Sequence, residues 1–364
     1  MSSLFVETAI GDSAGLASEL AGPSRAAALL AKAARPLVLV GARTVNPPAT
    51  AAVRSMLTAT GLPVVETLRA AGVAPREVRG QYLGRLGAHD SASTALAEAD
   101  VVLSIGFDTV GFDPATFQTS ARIIHLDDAP LRVSGYRPEL HVRGPIAGAI
   151  ASLQGDLTPR AVNEQWTSRV AALRGLLDDV EAEPWSHVAP TGSVHPATAV
   201  ALMRNILDDD DTLISDLGPD DLVVARHFPV AEPGRLLWAG LKTPGTRSPR
   251  AVAVGVAHPG TRVVILSGAG GSLLSTNELE AARRLRVPLT HVILRDSAQQ
   301  TSGIENILNN GRSGSGRLTT IDVQHFAASF GARGRPADSL DSFEDALRES
   351  LRGGGVSVID VCVS

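Results

Sequence analysis

The amino-acid sequence predicts an α/β protein built as two doubly wound, parallel-sheet domains in tandem. Three observations predict it. Short, near-continuous Val/Ile/Leu runs recur along the chain, among them "RPLVLVG", "VVLSIG", "TRVVILSG" and "VSVIDVCV". Strands covered on both faces read this way, whereas half-exposed strands alternate. Stretches with helical spacing separate these runs, which is the pattern of βαβ units. The alternation breaks once, over 151–195, and then resumes. The division that follows is a lead-in segment at 1–24, a first domain at 25–152, a connection at 153–193 and a second domain at 194–364. A chain of 364 residues is long enough for two such cores.

Taken in order, residues 35–41 form a strand that stops at Gly41, and 48–61 form a helix that stops at Gly61, a residue suited to the left-handed turn that ends helices. "LPVVETL" is the next strand. "DSASTALAEAD" (90–100) is a capped helix, and 101–106 and 121–127 are strands. The interval 151–195 holds one amphipathic helix among Pro, Gly and polar residues; Trp166 and Trp185 there read as packing anchors. "PATAVALMRNIL" then gives a helix, 211–218 a strand entering a turn, "RSPRAVAVGVAH" a helix and "TRVVILSG" a strand. In "STNELEAARRLR", Ser275 and Glu278 have the spacing of a helix capping box. The strand 289–296, the helix "DVQHFAASFGARG" and the strand "VSVIDVCV" close the second sheet. "NNGRSGSGRL" (309–318) is expected to be a loop near that sheet's mouth.

Composition excludes several classes of function. The net charge is −5 with acids and bases interspersed, so no electrostatic footprint for nucleic acid or an anionic membrane exists. No apolar run is long enough to cross a bilayer, and "MSSLFVETAIGDS" has no signal-peptide pattern. The single cysteine, Cys362, precludes an internal disulfide and fits a cytoplasmic setting. It lies in an apolar terminal strand and reads as an inert thiol. One Cys and nine scattered His give no structural zinc spacing.

The chemistry-bearing stretch is 261–297, where Gly268, Gly270, Gly271 and Ser272 follow a strand and precede a helix. Ligands of open parallel sheets bind beyond the carboxyl ends of strands. A dinucleotide fingerprint would need glycine where Leu273 stands, and a P-loop would need Gly-Lys-Ser/Thr, which is absent. Two readings stand at this point: a tight strand-to-helix turn, or a cradle for an anion. No serine sits in a Gly-x-Ser-x-Gly elbow. His89, His125, His227 and His291 read as hydrogen-bonded structural histidines. Asp127 and Asp128 read as strand-end caps, with ribose binding as the alternative.

The order of segments resembles the thiamine-diphosphate enzymes of the acetolactate synthase type. "RPLVLVGARTV", "GLPVVETLRAAG", "YLGRLGAHDSASTALAEADVVLSIGFD" and "IIHLDDAP" are similar to that family's central domain. "GLKTPGTRSPRAVAVGVAHPGTRVVILSGAGGSLLSTNELEAARRLRVPLTHVIL", "VQHFAASFGARG" and "VSVIDVCVS" are similar to its pyrophosphate-binding domain, and "LFVETAIGD" resembles the end of its pyrimidine-binding domain. The resemblance implies thiamine diphosphate and magnesium as cofactors. The family's Gly-Asp-Gly reads Gly268-Ala269-Gly270 here, and its Asn-Asn pair reads Arg295-Asp296. One acidic ligand is therefore missing, Asp296 stands at the other ligand position, and Ala298 is expected to give a backbone carbonyl to the metal. Two alternatives follow for the diphosphate charge: Asp296 holds magnesium with extra waters, or Arg295 contacts the diphosphate directly. Gly268, Ala269, Gly270, Gly271 and Ser272 would line the diphosphate. Gly218 and Leu222 would hold the aminopyrimidine, and residues 299–304 would shape the substrate end. Gly240, Gly245 and Pro249 keep part of a glycine-rich family stretch into which Lys242, Arg247 and Arg250 intrude, cations expected to be able to meet an anionic group. FAD is not expected: the family's arginine after 101–106 is replaced by Phe107 and Asp108, although Gly41, Thr67, Gly84, Gly87 and His89 align with flavin-contacting segments.

The family's activating glutamate belongs to the pyrimidine domain. The expectation is a two-component enzyme in which a separate pyrimidine-domain subunit completes the site, with self-association to a dimer within a heterotetramer and a small 2-oxo acid as substrate. The alternative is a scaffold or regulatory homologue that kept the fold without the chemistry, which the alanine at 269 favours.

Overall fold

The computed structural model describes residues 22–108, 117–129, 136–156, 163–215, 219–238, 246–273, 277–296 and 322–364, with the backbone alone for Arg76, 219–221 and Asp296. Two six-stranded, wholly parallel sheets organise them. The first runs β3-β2-β1-β4-β5-β6, from strands Pro36–Val40 (β1), Val64–Glu66 (β2), Tyr82–Arg85 (β3), Val101–Ile105 (β4), Arg122–Asp127 (β5) and Leu140–Arg143 (β6). The second runs β11-β12-β10-β9-β7-β8, from Thr212–Ser215 (β7), Leu236–Trp238 (β8), Val263–Gly268 (β9), Leu289–Asp296 (β10), Arg333–Ala337 (β11) and Val356–Val363 (β12). The expected doubly wound α/β tandem is present.

Central strands are apolar throughout because helices cover both faces. In the first sheet, Val38, Val40, Leu103 and Ile105 pack with the helices Gly22–Lys32, Pro47–Thr60 and Ile146–Asp156. On the opposite face, Leu37, Leu39 and Val102 pack with the helix Asp90–Glu98 and with Trp166, Val170 and Leu173. These last three residues lie on the helix Glu164–Ala182. The stretch expected as a connection thus supplies a helical layer of the first domain. Trp166 anchors it, donating its indole N–H to the Pro36 carbonyl at 3.0 Å.

In the second sheet, the helices Pro196–Ile206, Pro219–His227 and Leu340–Arg352 cover one face, and Arg247–Ala257, Glu278–Arg284 and Val323–Ser329 cover the other. The described helix starts at Glu278 with Asn277 at its N-cap. Ser275, the other half of the expected capping box, lies outside the described residues, as does the lead-in segment up to residue 21. Cys362 is half-buried on β12.

The two domains meet through polar contacts that satisfy buried backbone. Arg85 is 3% exposed and donates to the carbonyls of Ala225 at 2.9 Å and Phe228 at 3.0 Å. These carbonyls lie at the C-terminal end of the Pro219–His227 helix, which has no intrahelical partners for them and attracts positive charge. His89 accepts the Arg85 backbone N–H at Nδ1, 3.0 Å away. Its Nε2–H is therefore the donor to the Arg226 carbonyl at 3.2 Å. Burial, reinforced by Arg85, pulls this imidazole down to about 4. Glu66, also buried, accepts from the N–H groups of Ala74 and Gly72 and from the Tyr82 hydroxyl. Burial pushes its carboxyl up, against the opposing pull of Arg85. Trp238 closes the seam by donating to the Leu68 carbonyl at 2.7 Å.

Candidate functional site

The crevice of the second sheet follows from its winding. β7 pairs with β8 on one side and with β9 on the other. The helices that follow β7 and β9 go to opposite faces, so the chain diverges beyond the carboxyl ends of these two strands. This switch point is where open α/β sheets bind ligands. β9 ends at Gly268, and the short helical turn Ala269–Leu273 follows directly. Gly268, Ala269, Gly270, Gly271 and Ser272 are thus brought to one rim. Ser272 is buried and spends its hydroxyl on the Ala269 carbonyl at 2.7 Å, tightening the turn.

Arg247 is the cation at this rim. It is the first residue of the Arg247–Ala257 helix, it is 7% exposed, and its Nη1 donates to the Leu266 carbonyl at 3.3 Å. A side chain at Gly271 would bring its Cβ to 2.6 Å from Arg247 Nη2. A larger residue at 271 would therefore push the end of the Arg247 side chain aside. His291 sits beneath, fully enclosed, with Nε2 at 2.7 Å from the Ser267 hydroxyl and, among the described residues, no hydrogen-bond partner for Nδ1. Burial and the Arg247 charge pull its imidazole down to about 3, so it is neutral at ordinary pH beside the buried cation.

Arg295 pairs with a carboxylate through its Nε. Its Nε lies 3.0 and 2.9 Å from the two carboxylate oxygens of Asp360 on β12. Burial raises the Asp360 carboxyl while Arg295 opposes the rise. The charge expected to meet a diphosphate is thereby matched by a carboxylate within the sheet. Asp296 ends β10 opposite Val363; its side chain lies outside the described residues, as do Gly218, Gly240, Lys242, Gly245, Ala298 and the segments 299–304 and 309–318. Leu222, on the Pro219–His227 helix, is 46% exposed, and Leu273, at the end of the rim turn, is 43% exposed. Arg250 donates to the Trp238 carbonyl at 2.6 Å, so it ties its helix to β8.

The residues expected to hold magnesium, the Asp296 side chain and Ala298, lie outside the described residues. No group of three His, Cys, Asp or Glu side chains among the described residues is placed to hold a metal ion, and Ala269 presents a methyl group. An anionic diphosphate does fit the rim chemically, because the half-buried, glycine-rich turn at 268–271 lets an anion approach the backbone closely. The sequence marked Arg247 as one of three cations that could meet an anionic group. Its contact with Gly271 joins residues far apart in the chain and has no local signature.

In the first domain, the corresponding crevice lies between β1 and β4. A Cβ at Gly41 would collide with the Gly106 carbonyl and the Phe107 backbone. Arg43 and Asp127 form an ion pair at 3.2 Å, and Arg69 and Asp108 one at 3.5 Å. Asp127 also accepts the N–H groups of Asp128 and Ala129, which is the strand-end cap read from the sequence. Burial lifts this carboxyl to about 6. His125 is buried, its Nδ1 3.0 Å from the Tyr136 hydroxyl.

Among the described residues no helix is long and apolar enough to cross a membrane. A family model for the thiamine pyrophosphate enzyme central domain matches residues 24–153. A second, for the C-terminal TPP binding domain, matches 216–361. The chain is 33% identical over 348 residues to an acetolactate synthase of Bacillus subtilis (strain 168), covering 93% of this chain and 60% of that protein. It is 27% identical over 305 residues to a catabolic acetolactate synthase of Raoultella terrigena, covering 81% and 54%. It is 27% identical over 348 residues to the acetolactate synthase isozyme 2 large subunit of Escherichia coli (strain K12), covering 92% and 61%. The chain therefore spans about three fifths of the length of these relatives. Two sheets in this order, with the rim of the second shaped by a glycine turn, and two family models matched in sequence, give one conclusion: the chain belongs to the thiamine pyrophosphate enzymes, through their central and C-terminal domains.

Proposed function

We propose that this chain is the pyrophosphate-domain component of an acetolactate synthase-like, thiamine-diphosphate-dependent enzyme. It would act on a small 2-oxo acid, removing carbon dioxide and releasing or transferring the remaining acyl unit. The observation that carries the reading is the switch-point rim. The 268–272 turn and the Pro219–His227 helix flank one crevice there, with a buried guanidinium at its wall. When bound, the cofactor's thiazolium supplies the electron sink for decarboxylation. This chain's share is to hold the diphosphate at 268–272, to bear against the cofactor with Leu222, and to exclude water. The exposed Leu222 and Leu273 support completion of the pocket by a second protein surface, and a separate pyrimidine-domain subunit is the component that fits it. Two such pairs would form the working heterotetramer.

The test measures carbon dioxide release from a panel of 2-oxo acids, with thiamine diphosphate, by the full chain alone and with a candidate pyrimidine-domain polypeptide. Turnover only with both polypeptides is expected. Full turnover by the chain alone at high concentration would refute the two-component form. Ala269 favours a second reading, a homologue that keeps the fold as a scaffold or regulatory subunit. No heat on titration with thiamine diphosphate, with or without the partner, would select it.

A further inference from the structure

We infer that the end of the connection is an acid-sensitive latch: the stacked rings of His187 and His195 fasten residues 183–187 to the second domain while they are uncharged, and uptake of a proton releases them. The inference does not depend on the cofactor reading. The two ring centroids are 3.8 Å apart, and the rings are 25° from parallel. His187 follows the turn Glu183–Ser186, and His195 is the N-cap of the Pro196–Ile206 helix. The Nδ1 of His195 accepts the Ala197 N–H at 3.3 Å. Thr198, on the same helix, donates its hydroxyl to the Pro184 carbonyl at 2.6 Å. A third imidazole, His227, ends the Pro219–His227 helix and feels the charges of Glu183 and His187. It is buried, and among the described residues its Nδ1 has no hydrogen-bond partner.

Protonation acts on this cluster in three ways. A ring nitrogen accepts a hydrogen bond only while it carries no proton, so a charged His195 loses its cap on Ala197. The new charge also sits at a helix N-terminus, where the dipole opposes it. A second charge on the stacked ring would repel the first. The charged groups around the cluster divide. Glu183 places Oε1 3.8 Å from His187 Nε2 and favours the charged forms of His195 and His227. Arg226 opposes charge on His227. Glu181, on the long helix, is engaged by Arg79 and Arg174. Arg85 and His89 approach the same end of the Pro219–His227 helix from the first domain. The last residue, Ser364, meets Ser193 hydroxyl to hydroxyl at 2.7 Å. Burial is the largest influence, and with the His187 charge it pulls His195 and His227 below the usual imidazole range. The released segment takes up protons below pH 6.5 that the latched one refuses. The latch is therefore closed above 6.5 and loosens as the pH falls below it.

The experiment is amide hydrogen exchange of the full chain at about pH 7.5 and about pH 5.5, corrected for the intrinsic effect of pH on exchange. Opening over residues 185–199 should become about 10-fold more frequent at the lower pH for each imidazole that refuses its proton. The Pro47–Thr60 helix, which holds no histidine, should keep its protection. His195→Asn retains an acceptor at the N-cap without a titrating ring, and it should shrink the rise by about threefold or more. The melting temperature establishes that the variant folds, and the wild-type comparison stands without it. Equal protection of 185–199 at the two pH values overturns the inference. So does a rise of the same size in His195→Asn. A matching rise in the Pro47–Thr60 helix overturns it as well, since the loosening would then belong to the whole fold.

Discussion

Arg85 of the first domain donates to the Phe228 carbonyl of the second at 3.0 Å, and this contact caps a helix across a domain boundary. Arg85→Met keeps the bulk and removes the charge. It leaves the Ala225 and Phe228 carbonyls without their donor and leaves buried Glu66 without its opposing cation. A loss of about 3–5 kcal/mol is expected, the range for removing one partner of a buried charged network. Urea denaturation measures the loss. Hydrogen exchange should quicken selectively at the C-terminal end of the Pro219–His227 helix. Unchanged exchange there would mean that the capping contact is not what holds it.

His291 gives a pH signature. Its imidazole is pulled down to about 3 by burial and Arg247, from 6.5 in the unfolded chain. The unfolded state takes up a proton below pH 6.5 and the native state does not. The group's contribution is therefore complete above 6.5 and declines as the pH falls toward 3, by about 1.4 kcal/mol per unit. Asp127 acts with the opposite sign, since burial raises its carboxyl from 3.8 to about 6. The comparison is thus best made between wild type and His291→Gln. The gap between their stabilities should move by about 2 kcal/mol in the variant's favour from pH 6.5 to pH 5. A constant gap would contradict a neutral, enclosed His291.

Two glycines are fixed for different reasons. Gly41 has φ −111°, which any residue adopts, but its α-hydrogen faces the Gly106 carbonyl. Gly61 has φ +60° at a helix end, with open space where a Cβ would stand. Gly41→Ala should cost about 1–3 kcal/mol by overpacking. Gly61→Asn should be near neutral, because asparagine tolerates the left-handed region, while Gly41→Asn should fare worse than Gly41→Ala. Melting temperatures of the three variants decide it.

Ala269→Asp restores the carboxylate of the family's Gly-Asp-Gly motif at the start of the rim turn. On the cofactor reading it should tighten thiamine diphosphate binding in magnesium and bring no gain in EDTA. The readout is affinity across a magnesium titration. No gain at any magnesium concentration would show that position 269 does not govern the metal.

How much of this was legible in the sequence depends on what each element touches. β1, β4, β9, β10 and β12 announced themselves because both faces of each are covered and nearly every position must be apolar. β11, "RGRPA", is an edge strand that carries two arginines and a proline. It has no apolar run to find, because an edge may face water and spare a backbone donor. The Glu164–Ala182 helix was visible as an amphipathic stretch, but its partner was not: Trp166 meets Pro36 across the fold. The glycine turn at 268–272 was found from its strand-to-helix context. The packing of Arg247 on Gly271 and the pairing of Arg295 with Asp360 are tertiary contacts, and no local pattern encodes either.

The Pro219–His227 helix has a foot in each half of the molecule. One end leaves the crevice beside β7, and the other is gripped by Arg85 and His89. A nine-residue helix is about 13 Å long and stiff along its axis. A tilt of the first domain would travel along such a rod to the crevice wall. Substitutions along that seam should then register as changes in affinity at a pocket they never touch.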